Sequence, residues 1–229
     1  MPRAEPARGG RVSGASKPAH PDLRYERDLA RRGTARVAGL DEAGRGALAG
    51  PIFAAAVILP LQRPRLAARL REVRDSKLMT ARQRRACAEI LRRLALDWAV
   101  AQSTCEEIDR VGPLQASRWA MARAVRTLRT APEHLLIDHI LLPEVDLEQT
   151  ALTHGDARVM SIAAASVLAK VARDDVMEEW ARAYPIYGFS RHKGYGTAGH
   201  LEALRRWGPC PIHRRSFEPV AVLARPHAA

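Results

Sequence analysis

Two hydrophobic periods alternate along this chain, and the switches between them mark its elements. Arg36 to Leu40 reads as a strand running into Asp41-Glu42-Ala43-Gly44-Arg45-Gly46, and Ile52 to Leu59 as a second, largely buried strand. Thr80 to Leu96 has a helical period. Thr80 and Gln83 stand at capping-box spacing, and Ala86, Ile90, Leu91 and Leu94 make one apolar face. Trp98 to Ser103 alternates as a strand. Thr104 and Glu107 repeat the capping-box spacing before a short helix that ends at Gly112, and Pro113 opens another through Trp119, Met121, Val125 and Leu128. Leu135 to Asp138 is a short buried strand and Thr150 to Thr153 a further one; Ile162 to about Ala181 is a long helix and His200 to Trp207 a later one. No segment repeats. Strands come first and helices then interleave, which predicts an α/β fold with a mixed sheet.

Residues 1–33 lack an apolar period and are rich in Arg, Pro, Gly, Ala and Ser, the pattern of a disordered or loosely docked basic arm. Within that arm, Pro21 to Arg32 has the makings of a short helix carrying Leu23, Tyr25 and Leu29. The pattern then predicts one domain over 34–222 and a tail over 223–229.

Composition adds a charge argument. Of 229 residues 47% are apolar and 27% charged, enough to bury one core. Lys plus Arg total 37 against 25 Asp plus Glu, a net charge of +12, which suits a polyanionic partner such as nucleic acid, or an acidic membrane surface. Because 33 of those cations are Arg in an Ala-rich chain, compositional drift explains part of the excess. Cys87, Cys105 and Cys210 are far apart with no CxxC pair, against a disulfide framework or zinc ribbon and in keeping with a reducing compartment. The longest uncharged stretch, Gly46 to Gln62, is broken by Gly50, Pro51 and Pro60 and is too short to span a bilayer. The N-terminus has no apolar core of a secretory signal. The expectation is a soluble cytoplasmic monomer without a membrane partner.

Three segments carry candidate chemistry. Gly44-x-Gly46-x-x-Ala49 loosely fits a dinucleotide fingerprint, but Asp41 and Glu42 would repel a pyrophosphate, and Gly50-Pro51 leads into a strand where a helix is required. No GxxxxGK[ST], GxSxG or HExxH is present. The acids read better as metal ligands. Asp41 and Glu42 end a strand, Asp138 closes Leu-Leu-Ile-Asp, and Asp156 follows Thr-His-Gly at another strand-like end. Any one of them alone would be a cap or a solvated loop residue. Four converging carboxylates would raise one another's pKa, and hard divalent cations such as Mg²⁺ or Mn²⁺ relieve that repulsion. In the second segment, 155–174, Ala163 to Ser166 let a helix pack close to a sheet, with Arg158, Lys170 and Arg173 along it. In the third, 184–197, three tyrosines gather with Ser190, Arg191, His192, Lys193 and Thr197 between glycines, a mixture suited to phosphates and stacked bases or to a packed aromatic turn.

The blocks DEAGRG (41–46), DSK (75–77), LLID (135–138), GDARVMSIAAASVLAKVARD (155–174), YPIYGFSRHKGYGT (184–197) and HRRSFEPV (213–220) together resemble ribonuclease HII, in that family's order from about residue 36 to 220. The resemblance implies an RNase H-like mixed sheet flanked by helices, with a helical C-terminal part. It implies cleavage of the RNA strand of RNA–DNA hybrids, and cutting 5′ of a single ribonucleotide embedded in duplex DNA to leave 3′-hydroxyl and 5′-phosphate ends. It makes Asp41, Glu42, Asp138 and Asp156 the catalytic acids holding two Mn²⁺ or Mg²⁺ ions. Gly44, Arg45 and Gly46 would sense the 2′-hydroxyl, Tyr195 would stack on the next sugar, and Lys77 and Lys170 would join in binding substrate. The chain departs from the family at His139, where Gly commonly stands, and at Leu78 and His154, where Lys is frequent. Two other readings are a nuclease of the same fold with a DNA substrate and a non-catalytic nucleic-acid-binding module.

Overall fold

The computed structural model describes residues 20–223. In chain order the elements are α1 (Arg24–Arg31), β1 (Val37–Ala43), β2 (Ile52–Ile58), α2 (Leu66–Arg69), α3 (Ala81–Leu94), β3 (Asp97–Ser103), α4 (Cys105–Thr127), β4 (His134–Asp138), β5 (Glu148–Leu152), α5 (Met160–Ala183), α6 (Phe189–His192), α7 (Ala198–Trp207) and α8 (Glu218–Leu223), with 3₁₀ turns at Ser76–Leu78, Gly155–Ala157 and Pro185–Tyr187. The five strands form one sheet in the order β3-β2-β1-β4-β5. β1 pairs antiparallel with β2 and parallel with β4; β2 and β3 are antiparallel, and β4 and β5 parallel. The sheet is therefore mixed, as the alternation of elements predicts.

β2 is buried along its whole length because both sheet faces are covered. Ile52, Ala54, Ala56 and Ile58 meet Ile108, Ala120, Met121 and Ala124 of α4. Ala55 and Val57 face Ala163, Ala164 and Val167 of α5 together with Leu91 and Leu94 of α3. Alternate residues thus serve two cores, the period of a strand buried on both sides. α5 lies close to β1: a Cβ added to Gly39 would come within 2.2 Å of the Ser161 carbonyl carbon. Only a glycine permits that approach. A third core joins Met177 of α5 to Tyr187, Phe189, Leu204, Ile212 and Val220, and forms the helical C-terminal part.

Both capping boxes form, Thr80 with Gln83 and Thr104 with Glu107. Gly112, with φ 79° and ψ 161°, breaks α4 where Pro113 restarts it, as the Gly-Pro pair predicts. One face is corrected. α3 buries Cys87, Ala88, Leu91 and Leu94, whereas Ala86 is exposed and Ile90 is 41% exposed. The apolar stripe of Ala86 and Ile90 is displaced by about one residue, because the small Cys87 and Ala88 fit the contact with α5 better.

Most of the basic arm, residues 1–19, lies outside the described residues. From residue 20 the chain is docked. α1 inserts Glu26, 1% exposed, beneath the start of α5, where its Oε1 accepts from the Ser161 amide at 2.7 Å. α5 has no side-chain cap of its own at Val159, so this distant carboxylate satisfies one of its free amides. The short helix expected over Pro21 to Arg32 forms as α1, with Leu23, Tyr25 and Leu29 packed inward, and from residue 20 the arm is docked rather than disordered.

Candidate nuclease site

Parallel pairing brings the acids to one edge of the sheet. Leu40 pairs with Ile137 and Asp138 with Leu152, so β1, β4 and β5 end side by side, with Asp41 and Glu42 level with Asp138. Asp156 sits just beyond β5 in the turn Gly155–Ala157. Strand ends of this kind are where open α/β sheets place their sites.

Each acid is held by a different local device. Asp41 is 4% exposed and accepts from the Glu42 amide at 2.7 Å, while the nearby Ser166 side chain pulls its pKa down against that burial. Ser166 Oγ lies 2.9 Å from Ser76 Oγ. Asp138 accepts from the Gly155 amide at 2.7 Å, which ties the ends of β4 and β5 together. Asp156 receives Lys77 Nζ at 3.1 Å, and Arg45 lies 3.4 Å from Glu42. Burial, then repulsion from Glu42 and Asp138, holds the Asp41 carboxyl well above its usual range. Burial also raises Glu42 against the pull of Arg45, and raises Asp138 against its Gly155 hydrogen bond. For Lys77 burial works downward, yet the Asp156 carboxylate outweighs it and keeps the ammonium firmly charged.

These oxygens suit hard divalent cations, and burial, with repulsion among the acids adding to it, raises three of the carboxyls. Among the described residues no three His, Cys, Asp or Glu groups converge tightly enough to enclose a single ion. Lys77 lies among these acids, hydrogen-bonded to Asp156 and within electrostatic reach of Asp41, Glu42 and Asp138.

The remaining residues flank the acids. Gly44, φ 95°, packs so tightly on buried Arg173 that a Cβ would lie 1.9 Å from Nε. Arg45 and Gly46 border an open cleft shared with His139 and Phe217. Lys170 and Tyr195 border another cleft of about 430 Å³ with Arg84, Arg85 and Arg191, where Lys170 is tied to Asp174. Lys170 is thus grouped with Tyr195 rather than with the acids. Tyr195, 38% exposed, stacks 5.3 Å above the Arg173 guanidinium. His139 and His154 both adopt left-handed backbone, φ 65° and 55°. At His139 a glycine would carry no strain.

The sequence marks Ser166 only as a small helix residue, Arg173 only as a cation along 155–174 and Arg214 only as part of the block 213–220. Both arginines are fully buried and held by main-chain carbonyls, Arg173 by those of Ala49 and Pro51 and Arg214 by those of Gly44, Arg45 and Gly50. No local pattern signals such partners.

Comparison with known proteins agrees with this fold. A ribonuclease HII of Anaeromyxobacter is 51% identical over 199 residues, covering 86% of this chain, which spans 61% of that protein's length. One from Moorella thermoacetica is 50% identical over 194 residues, 85% of this chain and 92% of that protein. The crystal structure of the ribonuclease H2 of Pyrococcus horikoshii superposes with a TM-score of 0.67 at 27% identity, over 82% of this chain and 97% of that one. The family model for ribonuclease HII matches residues 38–220, and the chain belongs to this family of endoribonucleases.

Proposed function

We propose that the protein hydrolyses the RNA strand of RNA–DNA hybrids and cuts 5′ of a single ribonucleotide embedded in duplex DNA, leaving 3′-hydroxyl and 5′-phosphate ends. The observation that carries this reading is the row of four acids at the ends of three parallel strands, three of them with raised pKa. Asp41, Glu42, Asp138 and Asp156 would hold two divalent ions, Mn²⁺ or Mg²⁺. Bound there, such a pair activates an attacking water and stabilises the leaving 3′-oxygen in line.

The protein's own groups orient the substrate around that point. The Ser166 side chain favours the ionised form of Asp41, and the Gly155 amide fixes Asp138. The loop 44–46, open at Gly46 where a side chain would meet nothing within 4 Å, admits a 2′-hydroxyl to the backbone, the group that distinguishes RNA from DNA. Arg45, Lys77 and Lys170 offer cations to phosphates, and the exposed ring of Tyr195 offers a stacking face for the following sugar. No protein nucleophile is required.

The test is a duplex carrying one ribonucleotide, incubated with Mg²⁺, with Mn²⁺ and with chelator, beside a continuous hybrid and an all-DNA control. A metal-dependent cut only on the 5′ side of the ribonucleotide is the expected result. Cleavage of the continuous hybrid alone would remove the junction reading, and cleavage of the all-DNA control would replace it with a DNA nuclease on this fold.

A further inference from the structure

Residues 213–220 stand out in the sequence, and the proposed reaction gives His213 and Arg214 no part. We propose that His213 and Arg214 are positioning residues that set Tyr195 and the loop 44–50 against each other, His213 acting through His200. The proposal rests on the junction reading above and gives these two buried residues a role in it.

Arg214 holds the loop. Its guanidinium donates to Gly44 O at 2.7 Å, Arg45 O at 2.8 Å and Gly50 O at 2.8 and 3.0 Å, and its amide donates to Leu48 O at 2.9 Å. It is fully buried and has no carboxylate partner among the described residues. Its charge is thus spent on carbonyl oxygens of the loop that carries Gly44 and Gly46.

His213 holds the other side through a chain of hydrogen bonds whose direction its two ends favour. His213 Nδ1 lies 3.1 Å from Cys210 Sγ and 3.3 Å from Cys210 O, but its shortest contact is the Cys210 amide, which donates to it at 2.9 Å and leaves that nitrogen without a proton in the neutral ring. The proton is on Nε2, which donates to His200 Nε2 at 3.0 Å. His200 therefore carries its proton on Nδ1 and donates it to Tyr195 O at 2.9 Å. Reversing the chain would orphan the Cys210 amide and set a bare nitrogen against the Tyr195 carbonyl, so one arrangement satisfies every group. Burial pushes both imidazoles down to about 4, which keeps them neutral near pH 7 as the chain requires.

The two anchored segments also touch each other. Leu48 N donates to Gly194 O at 2.8 Å, and a Cβ on Gly194 would come within 2.3 Å of Ala49 O. One dipeptide thus fixes the loop that would read the ribose and the carbonyl of the ring that would stack beside it. A shift of either changes their separation, and oriented contacts lose effect with small displacements.

His213→Gln and His213→Asn separate positioning from bulk packing. A Gln amide falls near Nε2 and can still donate to His200 Nε2, whereas an Asn amide falls near Nδ1 and cannot. For His213→Asn, kcat/KM on a one-ribonucleotide duplex relative to a continuous hybrid should fall about tenfold, the scale of one lost hydrogen bond, and His213→Gln should keep the ratio within about threefold. Melting of both variants checks that they fold. Equal losses in the two variants, or none in either, overturn the proposal. Heteronuclear NMR of the wild-type imidazoles is independent of any variant: neutral His200 protonated on Nε2 would overturn the relay alone. A wild type with the assigned tautomers but no preference for the junction would instead remove the junction reading, and with it this role.

Discussion

The buried imidazole pair should make folding acid-sensitive in a measurable way. His200 and His213 are 0% and 1% exposed, and burial holds each near 4 against an ordinary value of 6.5. The charges facing them, His192 stacked 4.4 Å from His200 and Arg215 beside His213, push the same way. Between those two values the unfolded chain binds protons that the folded chain refuses. Their contribution is therefore complete above the unfolded pKa and is lost as pH falls through the window toward 4. At about pH 5 the loss is ~2 kcal/mol for each ring, with a local slope of about 1 kcal/mol per pH unit. Asp41, Glu42 and Asp138 act in the opposite sense, because raised folded values stabilise at low pH and are lost as pH rises. A difference between proteins removes that background. Urea unfolding of wild type and His213→Gln at several pH values between about 5 and 7 should show the variant losing ~2 kcal/mol less than wild type over that range, a slope lower by about 1 kcal/mol per pH unit. Equal slopes would refute the claim that these imidazoles are neutral and buried.

Three further outcomes follow from the same geometry. Asp41→Asn should abolish cleavage while leaving hybrid binding in gel-shift assays near wild type; substantial residual turnover contradicts a ligand role for this carboxylate. Tyr195→Ala should impair cutting at a single ribonucleotide more than cutting of a continuous hybrid, because its exposed face is offered to one sugar, and equal loss on both counts against stacking. Gly39→Ala would set a Cβ 2.2 Å from the Ser161 backbone, which no rotamer relieves, and should cost about 1–3 kcal/mol, lowering Tm by roughly 2–4 °C per kcal/mol. Melting at the wild-type temperature would mean that α5 can move away from β1 freely.

Local chemistry made much of the architecture legible. The capping pairs Thr80–Gln83 and Thr104–Glu107, the break at Gly112-Pro113 and the unbroken apolar run of β2 act within a few residues, so the linear pattern reports them directly. The acids were legible as candidates because each ends an apolar run, and the motif blocks tied them to one family. Their alignment depends on parallel pairing between strands nearly 100 residues apart, which brings Asp41 beside Asp138. Other features had no local signal at all. Which stripe of α3 is buried was decided by the contour of α5. Glu26 became a helix cap across 135 residues, and Arg214 became the clamp of a loop 170 residues earlier. A polar side chain looks alike in sequence whether it meets water or a distant carbonyl. Burial removes the water, and only the folded chain determines which partner replaces it.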